Sequence, residues 1–233
     1  MTSLPHIIKL TALLSGILFS AHSQADTLRY NNAVYEGQVG IYNTKKGRIK
    51  KPNGQGTLRF NSGNVHKGMF SNGRPHGLGT RFYASGSKCY GRFEGGKMNG
   101  YFKCTYSSGA RYEGTMQNNK RTIGRMTYSN GNVYDGAWRN GKPHGRGEKR
   151  YSSGNRYVGS WKNGKLNGEA VLRYASGASY TGYFRDNKKH GPGEYINTAK
   201  RISACLLYNM GDKVRQARST GSRAECYDKA RRW

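Results

Sequence analysis

Carboxylates are scarce in this sequence: 12 Asp and Glu stand against 40 Lys and Arg in 233 residues. Three of them, Glu36, Glu113 and Asp135, fall at one recurring position, so they do not converge as the acid and base of a hydrolytic site must. Apolar residues are sparse as well. Only 34% of the chain is hydrophobic, which excludes a large aliphatic core, and the one extended apolar stretch, Leu10 to Ala21, is too short to span a bilayer comfortably. No Gly-x-Ser-x-Gly elbow occurs. Gly-x-Gly pairs such as Gly54-Gln55-Gly56 and Gly145-Arg146-Gly147 lack the third glycine and the following helix of a dinucleotide site. The expectation is a protein with no catalytic residues, no cofactor and no metal site.

What is abundant is glycine, tyrosine and positive charge: 34 Gly, 18 Tyr and a net charge of +28. Low hydrophobicity with high charge is the usual signature of disorder, but aromatics at regular spacing argue against it. Lys9, the apolar run, and small residues at Ser23 and Ala25 have the form of a secretory signal cleaved before Asp26. A retained N-terminal anchor is the alternative; no Cys stands at the cleavage site to carry a lipid. Removing residues 1–25 takes away Lys9 and no acid, leaving 28 − 1 = +27 on 233 − 25 = 208 residues. That far exceeds the ~2 to 8 that solubility asks of a small domain and points to an anionic partner.

A period of 20 to 50 residues decides a fold before local structure does. Gly68, Gly91, Gly114, Gly136, Gly159 and Gly182 recur at steps of 23, 23, 22, 23 and 23, with Gly37 31 residues before Gly68. The clearest copy runs Tyr134-x-Gly136-x-Trp138-x-x-Gly141-x-x-His144-Gly145-x-Gly147-x-x-x-Tyr151. Tyr134, Gly136 and Trp138 alternate with period two and therefore share one strand face; Gly145, Gly147 and Tyr151 return on the same face. The segment from Arg139 to His144 turns the chain. The expected fold is all-β: an elongated, open, twisted sheet of seven stacked antiparallel hairpins, each hairpin's aromatics lying over the glycines of the next.

The stretch YDGAWRNGKPHGRGEKRYSSG at 134–154 resembles the MORN repeat, and the resemblance covers about residues 35–198. It implies a scaffold for protein or membrane contacts that sometimes self-associates. Departures fall at His66 and Cys89 in the first aromatic position, at Phe102, in the shortened loop of copy four, and in an insertion at about 40–52 in copy one. Residues 26–34 read as a linker. Residues 199–233 read as a cap over the terminal aromatic face, with Ser222-Arg223-Ala224-Glu225 opening a helix to about Arg232.

Four features invite function. A cation recurs eight residues past the first aromatic position at Arg74, Lys97, Lys120, Lys142, Lys165 and Lys188, about 9.5 Å apart if two strands separate successive copies. Such a ladder tracks an anionic partner, or is simply a solvated position. The insertion adds Lys45, Lys46, Arg48, Lys50 and Lys51, either a second anionic contact or a disordered loop. His76, His144 and His190 lie whole repeats apart, too far to share one ion, and read as loop-shaping residues. If Gly91 faces Phe102, Cys89 falls opposite Cys104 on the aromatic face, leaving Cys205 and Cys226 for a second bridge, which export would permit.

Two functions fit: an envelope or secreted scaffold that docks an acidic protein, an inhibitor or immunity-type role against an envelope-acting toxin included, or a binder of anionic phospholipid or lipopolysaccharide. The loops carrying Lys142 and Lys165 offer mainly Pro143 and Leu166 beside the cations, little for lipid insertion, which favours protein. Nucleic acid is the least favoured partner, and self-association stays open.

Overall fold

The computed structural model describes residues 25–219 and 223–232; the signal segment and Ser222 of the proposed helix cap lie outside them. Seventeen strands form one sheet in which each strand pairs antiparallel with its neighbours in sequence. A short strand β1 (Asp26–Tyr30) opens the sheet. Seven hairpins follow: β2 (Ala33–Thr44) and β3 (Gly47–Phe60), β4 (Val65–Ser71) and β5 (Arg74–Phe82), β6 (Lys88–Glu94) and β7 (Lys97–Thr105), β8 (Arg111–Gln117) and β9 (Lys120–Thr127), β10 (Val133–Arg139) and β11 (Lys142–Arg150), β12 (Arg156–Lys162) and β13 (Lys165–Arg173), β14 (Ser179–Arg185) and β15 (Lys188–Asn197). An eighth hairpin, β16 (Ile202–Asn209) and β17 (Asp212–Arg218), and a helix, α1 (Arg223–Arg231), complete the chain. No helix among the described residues is long and apolar enough to cross a membrane.

The hairpins are tight. In copy five only Asn140 and Gly141 connect the strands, both at positive φ (50° and 75°), the two-residue turn whose twist matches that of the flanking strands. The expected six-residue turn is thus a two-residue turn followed by a bulge, because Gly136 pairs with Gly147 while Trp138 pairs with Pro143. Copy four loses its residue from that bulge and keeps the turn at Asn118 and Asn119.

Side-chain alternation divides the sheet into an aromatic face and an outer face. On the aromatic face the first tyrosine of a copy lies flat over the glycines of its own hairpin, not those of the next. A Cβ on Gly147 would stand 2.5 Å from the Tyr134 hydroxyl, and one on Gly193 2.4 Å from that of Tyr180. The Tyr134 hydroxyl donates to Ala137 O at 2.7 Å, and Tyr35, Tyr112 and Tyr157 make the same bond three residues on.

Contact between copies falls to the second aromatic. Trp138 donates its indole N–H to Gly124 O and Trp161 to Gly147 O, each in the preceding copy, and their rings meet Tyr112 and Tyr134 edge-on. The ring row continues through Phe184 and Tyr180 to Tyr208. In copy three the disulfide Cys89–Cys104 takes the first ring's place: the two residues pair directly, as do Gly91 and Phe102.

The ends differ from expectation. Residues 26–30, read as linker, pair with β2 from Ala33 to Gly37 and place Leu28 against Tyr35. Beyond Ala199 the sheet continues, because β16 supplies Ala204, Leu206 and Tyr208 where earlier copies carry aromatic, glycine and aromatic. Cys205 has the opposite parity. Its disulfide to Cys226 therefore draws α1 onto the outer face, where Tyr227 meets Tyr183 of β14 edge-on. The helix does not cover the aromatic face; the eighth hairpin ends it.

Candidate functional site: a cationic edge

Each cation of the predicted ladder is the first residue after a hairpin turn: Arg74 opens β5, Lys97 β7, Lys120 β9, Lys142 β11, Lys165 β13 and Lys188 β15, and all six are exposed. They share one edge of the sheet because neighbouring tips are tied at a constant offset. Gly73 N donates to Pro52 O, Gly96 N to Pro75 O, Asn119 N to Met98 O, Gly164 N to Pro143 O and Asn187 N to Leu166 O. Side chains add to this lock, since Asn163 N donates to His144 Nδ1 and Met210 N to His190 Nδ1, both at 3.4 Å. Those histidines shape the tips, and no group of three or more metal-ligating side chains occurs among the described residues.

The same tie identifies a ladder member that sequence reading assigned to the insertion. Lys51 precedes Pro52 as Arg74 precedes Pro75 and Lys142 precedes Pro143, and each proline carbonyl receives the next tip. The signal was there as a Lys/Arg-Pro pair, hidden by the broken spacing. Lys45, Lys46, Arg48 and Lys50 belong elsewhere: they sit on an ordered two-stranded extension in which residues 40–44 pair with residues 47–51. This ribbon projects about 14 Å beyond the ladder, four residue pairs at ~3.4 Å each. Lys50 reaches back to Asp26 at 3.1 Å.

Four acids, Glu36, Glu113, Asp135 and Glu148, go to the outer face and are neutralised there. Glu36 faces Arg59, Glu113 faces Lys103 at 3.0 Å, and Asp135 faces Arg125 at 3.3 Å. Glu148 takes two guanidiniums, Arg156 at 2.7 Å and Arg150 at 2.5 Å. The hydrogen bonds from Arg156 hold its carboxyl well below the usual range, at about 2, against the opposing effect of partial burial. On the cationic edge only Lys165 has an acidic partner, Asp186 at 3.2 Å, among the ladder residues. Lys51 is hydrogen-bonded to Asn72. The cross-strand neighbours of Lys142, Lys165 and Lys188 are Arg139, Lys162 and Arg185, which double the charge at those tips. Seven cations at about 9.5 Å spacing make an edge roughly 57 Å long.

The MORN repeat family matches this chain at residues 50–65, 66–88, 89–111, 112–133, 134–156, 157–179 and 180–197. Comparison with curated proteins found no match. Among solved structures, the Drosophila melanogaster SAS-4 TCP domain, solved in complex with a proline-rich motif of Ana2, is similar at 12% identity and a TM-score of 0.43, covering 73% of this chain and 90% of that one. The Danio rerio CPAP TCP10 domain, solved with a peptide of STIL, is similar at 10% identity and a TM-score of 0.39, covering 84% and 99%. With repeat matches spanning well over half of its length in an unbroken series, the chain belongs to the MORN-repeat family.

Proposed function

We propose that the protein is a non-enzymatic binding scaffold of the cell envelope, exported on residues 1–25, that docks an acidic protein along its cationic edge. The observation that carries this reading is charge segregation: the outer-face acids Glu36, Glu113, Asp135 and Glu148 are ion-paired, while among the seven ladder residues only Lys165 has an ion pair and only Lys97 an acidic cross-strand neighbour, Glu94. The ladder's repeat also suits a polypeptide. A polyproline II segment turns once every three residues and rises ~3.1 Å per residue, so carboxylates three residues apart recur on one side at about 9.3 Å. An inhibitor or immunity-type role against an envelope-acting toxin asks for a rigid, chemically inert surface, and the tied tips supply one.

The test is capture of partners from native envelope extract at about 0.15 M salt, near physiological ionic strength, with the natural chain and with the triple variant Lys97→Glu, Lys120→Glu, Lys142→Glu. One stoichiometric protein kept by the natural chain at higher salt and lost from the variant is the expected result. Binding that vanishes with salt and transfers to anionic vesicles would assign the edge to phospholipid or lipopolysaccharide instead. A partner held equally by both chains would remove the ladder from the site.

A further inference from the structure

The sheet has two free edges, and they are unlike. At the C-terminal edge β17 carries Lys213, Arg215 and Arg218 within seven residues, the charged guard that natural sheets set against strand addition. The N-terminal edge is stepped. β1 covers β2 from Ala33 to Gly37, yet β2 runs on to Thr44, and among the described residues no strand pairs with that side of residues 38–44. This stretch, Gln-Val-Gly-Ile-Tyr-Asn-Thr, holds no charge, and Ile41 within it is 56% exposed. An uncharged edge rich in β-branched and aromatic residues is the kind that recruits another strand.

We infer that this step is the docking surface for a second copy of the chain, the two β2 strands pairing antiparallel about a two-fold axis perpendicular to the sheet. The step is self-complementary. Antiparallel pairing sets residue 38 of one copy beside residue 44 of the other, so each overhang fills the other's recess. Each hairpin tip, Lys45-Lys46, then arrives where the other copy's β1 begins, at Asp26, a partly exposed carboxylate whose one cation partner among the described residues is Lys50. Charges of opposite sign thus meet at both ends of the joint. Such a contact is isologous and closes at two chains. The alternative pairing of β17 with itself sets Arg215 against Arg215 at its centre, with relief only where Asp212 meets Arg218 at its ends. The inference rests on the processing reading above, which makes Asp26 the first residue of the mature chain. It is independent of the ladder, so partner capture and self-association succeed or fail separately.

Sedimentation or light scattering of the chain from Asp26 onward, which contains every strand and the helix of the described residues, tests the joint between about 1 and 200 μM. The expected result is a two-chain mass at the upper end. Ile41→Lys, which installs on this edge the guard β17 already has, should return a one-chain mass with an unchanged melting temperature. Lys45→Glu with Lys46→Glu, at an exposed turn, should weaken the dimer about ten-fold, and carries the test should Ile41→Lys fold poorly. A one-chain mass throughout, a dimer indifferent to these substitutions, or a mass that grows without limit would each overturn the proposal.

Discussion

His66 occupies the position that tyrosine holds in five other copies, fully buried between Phe70 and Phe93 with neither ring nitrogen hydrogen-bonded among the described residues. Burial first, and the nearby Arg81 second, push its pKa down from 6.5 to about 4. The unfolded chain therefore takes up a proton between pH 6.5 and 4 that the folded chain refuses. Stability falls as pH drops through that window and levels below it, by on the order of 3 kcal/mol. Urea titrations from pH 4 to 7 should show the slope in the natural chain, and His66→Tyr, which restores the hydroxyl bond to the backbone made by Tyr35, Tyr112, Tyr134 and Tyr157, should remove the histidine's share and leave only the shallower slope of carboxylates such as Glu148 near pH 4. Gly147 is required by contact, since any Cβ meets the Tyr134 ring; Gly147→Ala should cost about 3 kcal/mol. Gly177 has open space but φ of 83°, so Gly177→Ala should cost only about 1 to 2 kcal/mol, and paired denaturation curves separate the two cases. Trp138→Phe, which removes the indole bond to the Gly124 carbonyl, should cost about 1 kcal/mol in the same measurement. Phe70, Phe93 and Phe184 fill the same slot in other copies, so the fold itself survives.

At the level of elements, each hairpin touches only its neighbours, and stability is a sum of local terms as in other stacked repeats. α1 is held by the Cys205–Cys226 disulfide and by packing on β15 and β16. Deleting residues 220–233 should lower amide protection in β15 to β17 and leave β4 to β9 unchanged in hydrogen exchange; a uniform loss along the sheet would contradict local stacking. The copies that departed most from the repeat keep its register for identifiable reasons. Cys89 and Cys104 face each other because strand parity is fixed by Gly91 opposite Phe102, which is why that bridge was legible from spacing alone. The eighth hairpin was not, because Ala204 and Leu206 erase the aromatic and glycine marks while keeping the parity. The face of α1 followed from the parity of Cys205, which only a strand assignment for 202–209 could reveal.

For the whole molecule, periodicity announced the sheet, and the cation recurring eight residues past the first aromatic position announced the ladder. What periodicity could not show was where charge ends up. The acids share a repeat position with an outward-pointing parity that needs the pairing of Glu113 with Lys103 and of Asp135 with Arg125 to become visible. Lys51 escaped because the copy-one ribbon displaces it from the period. Reversing three ladder charges should leave the melting temperature within about a degree, since exposed charges contribute little to stability, while changing partner capture; a large thermal shift would instead mark the ladder as structural.

The two ends of the sheet are not equivalent, and this sets a limit on assembly. With β17 guarded by cations and the β2 overhang left open, the molecule has a valence of one. A monovalent unit terminates its own growth: raising its concentration fills dimers and makes nothing longer. A sheet of this length, carrying so many tyrosines and so few acids, thereby stays out of the fibrous state that two open edges would invite.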